Sequence, residues 1–365
     1  MLNAIILSDG LPGHYNQSLG VVERIPNCHY HWLEVKFRSK RRDNLLRVLM
    51  RLFGGFKLRD RQIERWFRTV LEPISCAEIL AINEADVVIS TGSSMAAVNL
   101  LVGQLFNAKT VTCRRPSPLG TRHFDLAILP KMYWPRREKG NICKTIGVPN
   151  GIHPEKLNTL REELRHDLPP TNRKRVGVLI GGEDRYDTIT EQTATELIDV
   201  LQRIVGDLDA ELLLTTSRRT PRPVADLIAD RLSDSSRCPI LVLAHQQASN
   251  RPSEPKQRFK RTIAQSVEAI FALSNLVLVT EDSFSMVCEA ASSGRQTLIV
   301  GIDHKTRHRP KRCQVYPELM RHASVERCCI DGLEELIRRL LAARTPIKPL
   351  CDTESAAAAV QQLLG

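Results

Sequence analysis

Aromatic residues are scarce in this chain: three Trp, five Tyr and nine Phe make up 5% of its 365 residues. With no recognisable nucleic-acid motif either, that scarcity argues against the stacking platforms on which single-stranded nucleic acid is held. No apolar run approaches the roughly 20 residues needed to span a bilayer. The opening MLNAIILSDG lacks the basic start of a signal peptide and meets Asp9 too early, so it reads as a first buried strand. The ten cysteines include no C-x-x-C pair, and only Cys328 and Cys329 are adjacent. Reduced, mostly buried thiols in a cytoplasmic protein are the expectation, with no zinc site and no other metal. Neither the G-x-G-x-x-G fingerprint nor a G-x-x-x-x-G-K-[ST] phosphate loop is present, and no short repeat recurs.

Positive charge, by contrast, is abundant and concentrated. The net charge is +11, and between residues 36 and 68 twelve basic side chains face only Asp43, Asp60 and Glu64. Within NLLRVLMRLFGGF (44–56), Leu45, Leu46, Val48, Leu49, Leu52 and Phe53 fall on one broad face at helical spacing, with Arg47 and Arg51 opposite. Gly54-Gly55 breaks the pattern, and RDRQIERWF resumes it with Trp66 and Phe67 as candidate interfacial anchors. A cationic helix with Leu and Phe on its other face suits an anionic membrane surface, which would make the protein peripheral on the inner face of a membrane. The alternative is that this apolar face packs on the domain core and the arginines are merely solvated. Nucleic acid, the other usual partner of a basic cluster, is the least favoured.

Strand-like apolar runs alternate with helical patterns in both halves: AIILS (4–8), DVVIST (86–91), KTVTC (109–113) and DLAIL (125–129), then RVGVLIGG (175–182), ELLLTTS (211–217), PILVLA (239–244), LVLVT (276–280) and QTLIV (296–300). Such alternation predicts an α/β protein with two doubly wound parallel sheets. The expected division is an N-terminal domain over 1–165, a C-terminal one over 172–350, and a final helix in 351–365 that crosses back to the first. The stretch 249–261 reads as a mobile loop.

In doubly wound sheets ligands gather at the carboxyl ends of the strands, and the loops that follow the predicted strands are chemically suggestive. After the first come Asp9, Gly10, Pro12, Gly13 and His14, a turn whose glycines admit close approach of a ligand to the backbone. Histidine is the side chain best suited to proton transfer near neutral pH, so His14 can take a proton from a hydroxyl, with Asp9 orienting the ring or itself serving as base. Thr91, Gly92, Ser93 and Ser94 form a second small-residue loop before a helix. In the second half, Gly181 and Gly182 offer the same geometry. Ser217, Arg218, Arg219 and Thr220 place two guanidinium groups where they can clamp a diphosphate without a metal. Lys305 and Arg309 add positive charge near a later strand end. The segment TEDSFSMVCEAASSG (280–294) reads as strand, turn and helix N-terminus. There Asp282 or Ser283 is expected to cap the helix, while Ser283 and Ser285 leave its amides open to an anion. Glu281 and Glu289 fall about two turns apart on one side of that helix.

This last arrangement resembles the glutamate pair of GT-B glycosyltransferases. The resemblance implies that Glu289 accepts hydrogen bonds from a nucleotide ribose, and that Glu281, Asp282, Ser283, Ser285 and Met286 surround the diphosphate. The opening AIILSDGLPGHYNQSLGVVERI (4–25), with VLIGGEDRYD (178–187), LLLTTSRRTP (212–221) and VTEDSFSM (279–286) in the same order, resembles the mitochondrial-fission (elongated-mitochondria) family. Bacterial members of that family are treated as GT-B-type glycosyltransferases. The chain departs from the family pattern at LPKMYWP (129–135) and AQSVEAI (264–270). The resemblance implies two Rossmann-like domains facing a cleft and transfer of a sugar from a nucleotide-sugar, with no cofactor, to an envelope glycan or lipid-linked acceptor. The donor would be held by the second domain. The acceptor would lie on the first, by Gly10, Gly13, Thr91, Gly92 and Ser93. The competing implication, from the plant members, is a non-catalytic membrane-associated adaptor.

Overall fold

The computed structural model describes residues 1–137, 140–164, 168, 171–244 and 263–365. The loop expected at 249–261 lies outside them. The chain forms two compact units, Met1–Gly151 with Cys351–Gly365, and Ile152–Leu350. The division thus falls at 151/152, where the sequence suggested 165/172. The reason is local: helix Pro154–Glu163 packs on helix Ile263–Leu273 of the second unit.

Unit 1 runs β1 (Leu2–Ser8), α1 (Pro12–Val22), β2 (Cys28–Glu34), α2 (Lys40–Phe53), α3 (Asp60–Val70), α4 (Pro73–Leu80), β3 (Val87–Ser90), α5 (Ser93–Phe106), β4 (Lys109–Thr112), β5 (Leu126–Pro130) and β6 (Ile142–Thr145). All pairs are parallel, in the order β2-β1-β3-β4-β5-β6. Successive residues of β1 point to opposite faces, and both faces are covered, so its middle, Ala4–Leu7, is apolar without interruption. Ile5 and Leu7 join the core under α2, α3, α4 and α5, while Ala4 and Ile6 join the core under α1 and the C-terminal helix Asp352–Leu364. That C-terminal helix is tied in by polar bonds. Asp352 accepts from the amides of Ile146 and Gly147, Thr353 from that of Asn150, and Glu354 pairs with Arg24 at 2.7 Å.

Unit 2 runs α6 (Pro154–Glu163), β7 (Arg175–Ile180), β8 (Asp187–Thr188), α7 (Glu191–Asp207), β9 (Glu211–Thr216), α8 (Arg222–Leu232), β10 (Ile240–Val242), α9 (Ile263–Leu273), β11 (Leu276–Thr280), α10 (Phe284–Ser292), β12 (Gln296–Val300), β13 (Asp303–His304), α11 (Tyr316–His322), β14 (Val325–Cys328) and α12 (Leu333–Ala342), with α13 (Asp352–Leu364) completing unit 1. Its main sheet is parallel in the order β10-β9-β7-β11-β12-β14, and β8 and β13 form a small antiparallel pair. Val176, Val178 and Ile180 bury one face of β7 under α7, α8 and α12. On the other face α9 approaches closely at Gly177, where a Cβ would stand 2.6 Å from a methyl of Ile270.

The basic segment corrects the sequence reading in three places. Helix α2 forms, but it turns Leu46, Met50 and Asp43 inward. Arg47 does not face away with the other arginines, because its Nε meets the buried Asp43 Oδ1 at 2.8 Å and its Nη1 donates to the carbonyl of Ser117. Phe67 is fully buried and Trp66 packs against the same core, so neither is an interfacial anchor. Leu45, Val48, Leu52 and Phe53, by contrast, stand exposed. No described helix is long and apolar enough to cross a membrane.

Candidate functional site

The central strands of unit 2 lie in the order β9-β7-β11, so the loops leaving their carboxyl ends are neighbours: 217–220, 181–186 and 281–283. Asp282 joins the three. Its carboxylate accepts from the Gly182 amide at 2.8 Å and from Thr280 Oγ1 at 2.7 Å, and it pairs with Arg219 at 3.1 Å. Burial nevertheless outweighs these bonds and pushes its pKa above the ordinary carboxylate value. Both glycines are demanded by this packing. A Cβ at Gly181 would fall 2.2 Å from the Asp282 carboxylate, and one at Gly182 would fall 2.1 Å from the Arg219 carbonyl. Thr220 is buried, its hydroxyl donating to the Gly181 carbonyl, and Ser217 Oγ accepts from the Arg219 amide. Arg218 stands exposed beside them.

The expected cap is absent. Ser283 is the N-cap residue of α10 but makes no side-chain cap bond, and Asp282 is spent on Gly182, Thr280 and Arg219. The amides of the first turn, at Phe284, Ser285 and Met286, thus have no described side chain closing them off, which is the state an anion requires. Glu289 follows about one and a half turns along α10. Burial first, and the charge of Glu268 second, push its pKa from 4.5 up to about 7, and no described cation pairs with it. Near neutrality such a carboxyl both donates and accepts, a match for paired ribose hydroxyls.

Glu281, expected beside the diphosphate, has its carboxylate engaged by groups of the protein. Its buried carboxylate pairs with Arg327 at 2.6 Å, lies 3.4 Å from His304 Nε2 and accepts from the Ile302 amide. Its carbonyl takes the Tyr316 hydroxyl. His304 in turn meets Asp187 at 2.6 Å, and Arg312 pairs with Asp184 and Asp187. Lys305 bonds Glu183 and Arg309 bonds His304, so both basic residues noted in the sequence are engaged within the protein. His304, Arg312, Tyr316 and Arg327 were missed as members of this network. Arg312 lies three residues beyond the Arg309 noted in the sequence, whereas Arg327 lies in an edge strand with no local signal.

In unit 1 the adjacent strands β1 and β3 bring their following loops together. His14 Nδ1 lies 2.9 Å from Asp9 Oδ2, and His14 Nε2 has no partner among the described residues. Burial raises the Asp9 pKa, but the His14 hydrogen bond and charge, with the Leu11 amide, outweigh it and leave it below the ordinary value. Gly92 has φ +99°, and a Cβ there would sit 2.8 Å from His14 Nδ1. Gly10 also adopts a positive φ, against Glu34, whereas Gly13 has open space around it. Thr91 is buried and bonded to Ser18, Ser93 Oγ accepts from the Ser117 amide, and Ser94 donates to Asp43. Those three hydroxyls serve the scaffold. Among the described residues no three His, Cys, Asp or Glu side chains gather as a metal site.

The Glu289 shift has a measurable consequence. A carboxyl whose pKa rises on folding binds more protons when folded, so stability is highest below pH 4.5 on this account and falls as pH climbs to about 7. Discounted for partial exposure, the loss is on the order of 2 kcal/mol. Urea titrations between pH 5 and 8 should show that slope in wild type and a flatter one in Glu289→Gln; identical slopes would mean that Glu289 does not titrate in this range.

The sequence profile of the family described as mitochondrial fission ELM1 matches residues 12–364. No curated protein matches the sequence. Among solved structures, the UDP-GlcNAc 2-epimerase of Methanocaldococcus jannaschii, in complex with UDP-GlcNAc and UDP, superposes with a TM-score of 0.52 at 12% identity, over 100% of this chain and 99% of that one. The UDP-GlcNAc 2-epimerase of Neisseria meningitidis bound to UDP-GlcNAc gives 0.52 at 13% identity, over 100% and 99%. At such identities the likeness is one of fold, and that fold is the GT-B class.

Proposed function

The chain belongs to the mitochondrial fission ELM1 family, and from that premise we propose that it is a nucleotide-sugar-dependent glycosyltransferase whose donor is held at the carboxyl edge of the unit 2 sheet. The observation that carries this reading is the uncapped N-terminus of α10 beside the Asp282-linked loops, with the protonatable Glu289 further along the same helix. The open amides receive the diphosphate, Arg218 and the half-exposed Arg219 face the charge that grows on it as it leaves, and Glu289 bonds the ribose. On the acceptor side, His14, oriented by Asp9, removes a proton from the attacking hydroxyl of an envelope glycan or lipid-linked acceptor. The epimerases that share the fold bind UDP-GlcNAc, which supports UDP as the first nucleotide to try.

Calorimetry with UDP tests the donor half. Wild type should bind, and Glu289→Ala should weaken binding by about 1–3 kcal/mol, the usual cost of a lost hydrogen bond to a charged or shared-proton group. Hydrogen exchange on addition of UDP should slow at 217–220 and 281–289. A wild-type protein that binds no nucleoside diphosphate would instead support the non-catalytic adaptor.

A further inference from the structure

Unit 1 carries a cavity of about 440 Å³ whose walls include Arg51, Arg115, Arg122, Arg136, Arg137 and Tyr133, with no carboxylate among the described lining residues. It opens beyond the carboxyl ends of β4 and β5, where the chain is held firmly. Trp134 donates to the carbonyls of Leu129 and Thr145, and Arg114 bonds the Tyr133 hydroxyl at 2.8 Å while stacking 5.3 Å from its ring. Arg51, Arg115, Arg136 and Arg137 have no described acidic partner, whereas elsewhere in the unit Arg24 and Arg47 are each matched to a carboxylate. Five like charges brought to one concavity repel one another, and a multivalent anion relieves that repulsion.

Arg51 also belongs to α2, whose outward side carries exposed apolar residues. Leu45, Val48 and Leu52 recur at spacings of three and four residues along one side of the helix, and Phe53 and Phe56 extend the patch, each between 45% and 65% exposed. The loop 117–123 seats this end of α2 against the cavity, since Arg122 donates to the Arg51 carbonyl. Arg41, Arg42, Lys57, Arg59, Arg61, Arg65 and Arg68 are exposed along the same segment. A rigid apolar stripe beside an arginine-lined cavity, within a strongly cationic segment, matches one partner chemistry: acyl chains joined to a phosphate.

We propose that this face of unit 1 docks on a bilayer of anionic phospholipid, with the α2 stripe entering the acyl boundary and a headgroup phosphate lodged among Arg51, Arg115, Arg136 and Arg137. The proposal is independent of sugar transfer. Apolar burial holds the protein at the surface, and the guanidinium fork favours phosphate oxygens over carboxylate-only charge.

Co-sedimentation of the full chain with vesicles tests it. Wild type should bind phosphatidylcholine vesicles containing phosphatidic acid at least tenfold more tightly than phosphatidylcholine alone, and should loosen as salt is raised. The Arg115→Gln, Arg136→Gln, Arg137→Gln variant and the Leu52→Ser, Phe53→Ser, Phe56→Ser variant alter exposed side chains, so melting temperatures should hold while binding falls about tenfold or more. A charge-matched control, Arg61→Gln, Arg65→Gln, Arg68→Gln, should lose distinctly less. Inorganic pyrophosphate should compete only partly, because it fills the cavity without engaging the stripe. Wild type that ignores the acidic vesicles, a control that loses as much as the cavity variant, full displacement by pyrophosphate, or tighter binding to a DNA duplex than to vesicles would each overturn the proposal.

Discussion

His14→Ala should slow release of nucleoside diphosphate from a nucleotide-sugar by a factor on the order of 10²–10⁴, the range associated with loss of a positioned general base. Nucleotide affinity should stay within about a factor of two, since a general base acts on the proton moved in the transition state and not on the bound nucleotide. The argument is geometric. Asp9 takes the Nδ1 side of the ring at 2.9 Å and thereby directs Nε2 away from its own loop. An Asp9 carboxyl held below its ordinary pKa stays ionised throughout the working range, so it fixes the tautomer at any pH of interest. Gly92→Ala offers a second route to the same point. Its Cβ would meet Nδ1 at 2.8 Å in a backbone with φ +99°, and displacing the ring should reproduce most of the His14→Ala loss. Single-turnover measurements with each variant decide the matter. Turnover within about fivefold of wild type would return His14 to a residue that only secures its turn.

Glu281→Ala should cost about 3 kcal/mol of stability in urea unfolding, with Glu281→Gln intermediate. The buried carboxylate answers Arg327 and the Ile302 amide and lies beside His304, so its removal leaves the buried amide without its acceptor and the partly exposed guanidinium without its partner. This outcome separates two roles for the same residue. If Glu281 instead served the donor directly, the substitution would weaken UDP binding while leaving unfolding within about 1 kcal/mol of wild type.

How much of this was legible in the sequence follows from who each residue's neighbours are. The interior strands stood out because a strand covered on both faces is apolar along most of its length, as Ala4–Leu7, Leu276–Val279 and Leu298–Val300 are. Strand β2, CHYHWLE, is exposed along most of its length at the edge of its sheet and reads as polar chain. β6 and β14 are short edge strands of the same kind. For α2, helical period was visible but its inward face was not: periodicity counts every charge as outward, whereas Asp43 and Arg47 satisfy each other in the interior. The site shows the same limit. The Asp9–His14 pair was readable because the two residues are five apart in the chain, and the glycines because they follow strand-like apolar runs, although what they pack against lies far away in sequence. The choice of Asp282 was not, because local propensity offers it the helix end, while a hydrogen-bonding partner 100 residues earlier, the Gly182 amide, takes it.

The placement of α13 in unit 1 bears on how the molecule comes into being. During synthesis residues 1–151 emerge before 352–364, so the face of their sheet formed by Ala4, Ile6, Val87 and Ile89 stays without Ala356, Ala357 and Val360 until α13 has left the ribosome. Unit 2, being continuous, has all its parts sooner and folds as a unit while unit 1 waits half-clad. Of the two units, the one begun earlier is therefore completed later, and a ribosome stalled after residue 350 leaves it with an open apolar flank.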